Sequence, residues 1–218
     1  MTPYYETPLG KLYHGDCLEI MPMLEPVDLV LADPPYGINI AEWDETTVTD
    51  AIIKLLINIS QNQIVFGGNY YNLPHSEGWI CWDKTFSDDI RKKKLTQAGV
   101  PRENMSDFEL IWTSFLKKSK FIRYTYIGNL KGFDDNLTVN YNQPPKAHPT
   151  QKPINLILRI MELSPEHSSV LDPFLGSGTT AIACERLKIK WIGIEIEEKY
   201  CEIAAKRIDQ ERKQLKLF

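Results

Sequence analysis

Short apolar runs alternate along the chain with segments whose apolar residues recur at helical spacing, which is the pattern of strands and helices taking turns. Leu9–Tyr13 reads as a short strand, and Leu18, Ile20, Met21, Met23 and Leu24 form the stripe of a short helix. Val27–Ala32 is nearly all apolar, as expected of a parallel strand covered on both faces. Ile52, Ile53, Leu55, Leu56 and Ile59 then fall at helical spacing within residues 48–59. Gln63–Phe66 follows as a buried strand, completing a β-α-β crossover that Gly67-Gly68-Asn69 ends in a turn. Gly78–Lys84 reads as a further strand. The alternation is then lost until residue 148, except at Phe108–Phe115, which reads as a core strand. It resumes with a helix carrying Leu156, Ile157, Ile160, Met161 and Leu163, and a strand at Ser169–Phe174. A helix through Leu187, a strand at Trp191–Glu195 and an amphipathic helix at Glu197–Gln214 complete the chain. The expected fold is α/β: a doubly wound, mostly parallel, Rossmann-like sheet with a small inserted region.

Composition agrees with one substantial core, since 218 residues at 43% hydrophobic content are ordinary for a globular chain. No apolar run approaches the roughly 20 residues of a membrane span, and Met1–Glu6 carries no signal-like pattern, so the expected location is the cytoplasm. Cys17, Cys81, Cys184 and Cys201 form no C-x-x-C pair, and the four histidines show no zincin spacing. Neither a metal site nor a disulfide framework is expected. The net charge of −4 conceals an uneven distribution: residues 84–147 hold 12 bases against 7 acids, or +5, which leaves −9 on the remainder. Aromatic residues, among them Phe108, Trp112, Phe115, Phe121 and Tyr124, interleave with those bases. Bases mixed with aromatics fit contact with phosphates and unstacked bases, although Arg91-Lys92-Lys93-Lys94 alone also fits a solvated face. The chain therefore divides into residues 1–84, a basic region at 85–147 with part of the core near 108–115, and residues 148–218.

Two stretches carry the chemistry. Asp33-Pro34-Pro35-Tyr36 ends the strand at 27–32 with an acid, two residues of fixed φ that lack an N–H, and an aromatic ring. That corner is rich in acceptors, so it suits a group bearing N–H bonds; as an isolated motif it is equally a turn off a buried strand. The second stretch is Gly176-x-Gly178-x-x-Ala181, set between a strand and a helix, with Glu195 ending the next strand 17 residues after Gly178. This is the logic of a nucleoside-binding β-α-β unit, in which glycines admit a ligand closely and the acid accepts from ribose hydroxyls. No lysine follows Gly178, which excludes a Walker A loop. Asp172 directly before the loop opposes a pyrophosphate and favours an ammonium, and S-adenosylmethionine has an ammonium, a ribose, an adenine and no phosphate. Asp16 reads as either a helix N-cap or a ligand contact.

Asp33-Pro34-Pro35-Tyr36, His148-Pro149-Thr150-Gln151-Lys152-Pro153 and Asp172-Pro173-Phe174-Leu175-Gly176-Ser177-Gly178-Thr179-Thr180, in that order, resemble the amino DNA methyltransferases of the beta permutation. The resemblance covers nearly the whole chain except 85–147, a recognition region short for that family. It implies transfer of a methyl group from S-adenosylmethionine to the N6 of a flipped adenine in DNA. Cytosine-N4 is the alternative; members resembling this chain that act on cytosine more often begin the motif with Ser. It further implies that Asp33 and the Pro34 carbonyl accept the two amino N–H bonds, Pro35 stiffens the corner, and Tyr36 stacks on the base. Asp172, Phe174, Gly176, Ser177, Gly178 and Thr179 then hold the amino-acid end of the cofactor, Glu195 its ribose, Lys152 its carboxylate and Asp16 the neighbourhood of its adenine. DNA contacts are expected from Arg91, Lys92, Lys93, Lys94, Lys117, Lys118, Lys120 and Arg123. The expected assembly is a monomer or homodimer, with a cognate restriction enzyme as a possible partner. A nicotinamide-dependent oxidoreductase and an inactive DNA-binding relic are the readings from other classes.

Overall fold

The computed structural model of the chain describes residues 1–36, 48–84, 106–127, 130–132, 138–139 and 151–215. Arg91, Lys92, Lys93, Lys94 and the segment His148–Thr150 lie outside the described residues.

The strands are β1 (Tyr5–Glu6), β2 (Gly10–His14), β3 (Val27–Ala32), β4 (Ser60–Phe66), β5 (Trp79–Asp83), β6 (Phe108–Thr113), β7 (Lys120–Arg123), β8 (Thr125–Ile127), β9 (Leu130–Gly132), β10 (Thr138–Val139), β11 (Ser169–Asp172) and β12 (Lys190–Glu195). Among the described residues the α-helices are α1 (Cys17–Ile20), α2 (Asp50–Asn58), α3 (Ile154–Met161), α4 (Thr179–Leu187) and α5 (Glu198–Leu215). One departure from the periodicity is instructive. The stripe from Leu18 to Leu24 is expected to be one short helix, but α1 stops at Ile20 and Met21–Met23 continue as a 3-10 turn with Pro22 in its first positions. Proline has no N–H for the α-helical ladder, which is why the register tightens there.

Nine strands make the main sheet in the order β1-β2-β12-β11-β3-β4-β6-β5-β7, and β10-β9-β8 form a separate antiparallel sheet. From β2 to β4 all neighbours are parallel. β6 runs antiparallel between β4 and β5, so the apolar stretch at 108–113 of the basic region is a strand of the central sheet.

The side chains of β3 alternate between two cores. Leu29 and Leu31 pack with Leu156, Ile157, Ile160, Ala181, Ile182 and Ile208 of α3, α4 and α5, whereas Val30 and Ala32 pack with Ile20, Ile52, Ile53 and Leu56 of α1 and α2. Period-two alternation thus sends successive residues into opposite layers, and no polar face survives on this strand. Truncating Leu31 to Ala is expected to cost about 2–5 kcal/mol, the range for large-to-small core changes.

The site follows from this topology. The connection after β11 leads to β12 on one side, and the connection after β3 leads to β4 on the other. Adjacent strands whose connections diverge leave a crevice at their carboxyl ends, and that switch point is where open α/β sheets take ligands. Asp172 ends β11 and Asp33 follows β3 directly, so the two motifs flank the crevice.

Candidate active site

A cavity of about 440 Å3 opens at the switch point, and Asp16, Asp33, Pro35, Lys152, Asp172, Phe174, Gly176, Ser177, Thr179 and Glu195 all line it. These predicted cofactor residues therefore meet Asp33 and Pro35 of the acceptor corner on one cavity wall, whereas Gly178, Pro34 and Tyr36 are not among its lining residues.

The loop after β11 is held by its own backbone. Gly178 caps α4 at φ 85, a left-handed conformation that a residue with Cβ adopts only under strain, and a Cβ there would meet Ala204 at 3.0 Å. Asp172 accepts from the Phe174 N–H at 3.0 Å. Glu195 accepts from Gly176 N–H at 2.7 Å through Oε2 and from Glu197 N–H at 2.9 Å through Oε1. Each carboxylate oxygen keeps a lone pair for a further donor. Arg207 reaches across from α5 to the Ser177 carbonyl and, at 2.7 Å, to its hydroxyl. Burial lifts the Asp172 carboxyl to about 7, against the hydrogen bonds from Thr180 and Phe174. Burial lifts Glu195 above the ordinary carboxylate range as well. Two buried acids whose charged forms are disfavoured by burial form a site that gains from an incoming cation and from hydroxyl donors. Asp16 does act as the N-cap of α1, accepting from Leu18 N–H at 2.8 Å, while also lining the cavity.

The acceptor corner is held differently, by side chains from distant elements. Tyr71 donates one hydroxyl proton towards both the Pro34 carbonyl at 3.0 Å and the Pro35 carbonyl at 3.1 Å. Tyr36 donates to Asp33 Oδ1 at 2.9 Å, and Lys152 donates to Asp33 Oδ2 at 2.6 Å. Lys152 thus stands on the acceptor corner as well as on the cavity wall, although its predicted partner is the cofactor carboxylate. Gly67, in the left-handed region at φ 62, lets Tyr36 close over the backbone: a Cβ there would lie 2.5 Å from the ring. The half-exposed Tyr70 stacks on Tyr36 with centroids 5.1 Å apart and planes 13° from parallel.

Glu109 of β6 joins this corner, a residue that sequence reasoning missed. Its Oε1 pairs with Lys84 and its Oε2 lies 3.8 Å from Lys152 Nζ. Burial raises Asp33 above the usual carboxylate range; Lys152 opposes that shift and Glu109 adds to it. Lys152 is disfavoured as a cation by burial, but Asp33 and Glu109 together hold its ammonium above the ordinary value. The one available signal for Glu109 was a carboxylate in the otherwise apolar run Phe108-Glu109-Leu110-Ile111-Trp112, since a charge in a core strand needs a partner. Tyr70 and Tyr71 left no comparable trace.

The predicted DNA contacts that fall within the described residues, Lys117, Lys118, Lys120 and Arg123, are exposed on and before β7 beside the exposed Phe121. Arg123 pairs with Asp83 at 2.7 Å and lies 5.4 Å from the centre of the Phe121 ring. Lys117 pairs with Glu77 at 2.9 Å. Among the described residues no group of three or more His, Cys, Asp or Glu is arranged to hold a metal ion, and no helix is long and apolar enough to cross a membrane.

The crevice joins buried acids to an Asp-Pro-Pro-Tyr corner, and comparison with known proteins identifies the class of protein that carries it. The DNA methylase family of N6 and N4 enzymes matches residues 62–206, and the chain belongs to that family. The Type II methyltransferase M.HpaI of Haemophilus parainfluenzae is 36% identical over 229 aligned positions, covering 85% of this chain and 69% of the relative. M2.LlaDCHI of Lactococcus lactis subsp. cremoris, also a Type II methyltransferase, is 28% identical across 95% of this chain and 92% of its own length. Among solved structures, the M1.HpyAVI-SAM complex superposes with a TM-score of 0.57 at 24% identity, covering 92% of this chain and all of that one. The cytosine-N4-specific PvuII DNA methyltransferase gives 0.59 at 16% identity over 96% of this chain and 93% of its own.

The chain is accordingly a site-specific DNA methyltransferase of the N6/N4 family, with S-adenosylmethionine as its cofactor. The residues present fit that molecule: the cavity beside the glycine loop is lined by the buried acids Asp172 and Glu195, which suit an ammonium and hydroxyls. Family membership removes the nicotinamide reading.

Proposed function

We infer that the chain methylates the exocyclic N6 of adenine in DNA, on a base turned out of the duplex or presented by a single strand. The observation that carries this reading is the corner itself. An acidic acceptor, Asp33, and the Pro34 carbonyl, which keeps a second lone pair beside its bond from Tyr71, sit side by side at the end of β3, next to the loop after β11.

The chemistry requires such a pair. The lone pair of an adenine amine is delocalised into the ring, and acceptors on both N–H bonds favour the tetrahedral nitrogen that can attack. Bound S-adenosylmethionine supplies a methyl group on a sulfonium. Asp33 accepts one N–H bond and the Pro34 carbonyl the other, with Tyr71 holding that carbonyl in place and Tyr36 offering its ring to the base. Once methylated the amine is strongly acidic, and Asp33, its own proton affinity raised by burial, is placed to take the proton. Asp172 pairs with the cofactor ammonium, Glu195 with the ribose hydroxyls, Lys152 reaches the carboxylate from the shared wall, and Phe174, Gly176, Ser177, Gly178 and Thr179 shape the loop. Asp16 lines the adenine end.

Lys117, Lys118, Lys120 and Arg123 supply phosphate contacts, with Phe121 among them for stacking. A cognate restriction enzyme is the partner that this reading expects in the cell. Incubation with S-adenosylmethionine and mixed-sequence DNA, followed by nucleoside mass spectrometry and modification-sensitive sequencing, tests all of it: N6-methyladenine at a defined site is the expected product. N4-methylcytosine would assign the corner to the other base, and no methyl transfer to any strand would favour a relic.

A further inference from the structure

Four charged side chains from separate parts of the chain meet under the acceptor corner. Lys152 Nζ donates to Asp33 Oδ2 at 2.6 Å, and the same nitrogen stands 3.8 Å from Glu109 Oε2. Lys84 holds the other oxygen of Glu109. Glu109 Oε2 is buried and, among the described residues, accepts no hydrogen bond. At 3.8 Å the ammonium attracts it but does not bond to it, because an N–H···O bond needs about 2.7–3.2 Å.

This asymmetry has a cost and a use. Buried carboxylate oxygens without a donor are rare, and each calls for an explanation. Fixing Lys152 in place would need only Asp33, which already bonds it. An acceptor poised one short step from a lysine that is bonded elsewhere is instead what a moving ammonium requires. Asp33 has a matching need. Its Oδ1 takes the Tyr36 hydroxyl and its Oδ2 is neutralised by Lys152, so the charge that should face an incoming N–H bond is spent on a neighbour. A shift of the ammonium towards Glu109 frees Oδ2 and satisfies the orphaned oxygen, and no charge leaves the interior.

We propose that Glu109 is a positioning residue for methyl transfer: its unpartnered Oε2 receives the Lys152 ammonium as the target amino group engages Asp33. Lys152 thereby stands between two carboxylates, and Lys84 keeps Glu109 charged and aimed throughout. This rests on the reading of Asp33 as the partner of the target amine.

The test uses the full chain, S-adenosylmethionine and the DNA substrate identified as above, under single-turnover conditions. Glu109→Gln keeps the shape and removes the charge. It is expected to slow transfer roughly tenfold or more, as for other groups that act on the transition state, while cofactor affinity measured by calorimetry changes less than about threefold. In a Lys152→Gln background the same substitution should add no further loss, because Glu109 acts only through Lys152. A Glu109→Gln rate within about twofold of the unaltered chain overturns the proposal, and so do losses from the two substitutions that simply multiply. Should Glu109→Gln not fold, Glu109→Asp carries the test: it withdraws the charge by one methylene and should slow transfer, and an unchanged rate overturns the proposal. Transfer by the unaltered chain that is insensitive to Glu109 removes this inference alone. An unaltered chain that methylates no DNA removes the Asp33 reading with it.

Discussion

The two halves of the crevice are built by opposite means. On the β11 side each acid is held by N–H groups of its own strand-loop-helix unit: Asp172 by Phe174, and Glu195 by Gly176 and Glu197. On the β3 side Asp33 and the Pro34 carbonyl are held by side chains that arrive from far along the chain, Lys152 from 119 residues away and Tyr71 from 37. Local backbone can preform a pocket for a molecule that is always the same. A corner proposed to admit and release a base draws on side chains, which can move.

The sharpest way to break this contrast is at Asp33. Asp33→Ala is expected to lower methyl transfer by about a thousandfold or more, in the range for removing a group that acts on the reacting atoms, with cofactor affinity retained in calorimetry. Undiminished turnover would sink the proposed corner.

Asp172→Asn probes the other half. Loss of a charge-assisted bond to the cofactor ammonium is expected to weaken binding roughly tenfold to a hundredfold, with little change in the rate at saturating cofactor. The same carboxyl predicts a pH dependence. Its ordinary value is 3.8 and burial lifts it to about 7, so the folded chain without cofactor holds a proton that the unfolded chain releases. Its contribution to stability is therefore fully present below about 4 and is lost as pH rises through about 7. Cofactor affinity should run the other way, falling as pH drops below about 7, and Asp172→Asn should flatten that fall in a calorimetric titration series.

Tyr71→Phe removes the hydroxyl that steadies the corner while keeping the ring. A several-fold slower transfer and a stability loss of about 1 kcal/mol in chemical denaturation are expected, the usual worth of one neutral hydrogen bond. Smaller still are the effects on β7 and the turn before it. Neutralising Lys118 or Lys120 should weaken DNA binding alike for every sequence and reduce the salt slope by about one charge each, read by titration across ionic strengths. A loss confined to one sequence would make these lysines base readers.

This contrast also decides what could be read without a structure. Asp172, Gly176, Gly178 and Glu195 are legible because the β-α-β unit puts them at fixed spacing. The strand at Val27–Ala32 and the acid after it are legible because burial on both faces leaves so little choice of residue. Glu109 was hidden, because pairing of β6 between β4 and β5 places it beside Lys84 and Lys152, and no local pattern encodes that neighbourhood. Tyr71 was hidden for the same reason: its hydroxyl finds the Pro34 carbonyl only after the turn at Gly67 has folded back. Lys152 was legible as a cation, but its bond to Asp33 depends on two segments meeting at the crevice.

The order of strands has a consequence for biosynthesis. β2 and β3 are each flanked by strands from the last part of the chain, β12 and β11 respectively, and make no bond to each other. A growing polypeptide that has emerged only as far as β7 therefore presents bare strand edges where β11 and β12 will insert. Such edges are templates for pairing with other chains, and contacts of long sequence separation form slowly. The nascent methyltransferase should accordingly depend on chaperone protection until β11 and β12 leave the ribosome, and truncation before β11 should yield aggregate in place of a weaker enzyme.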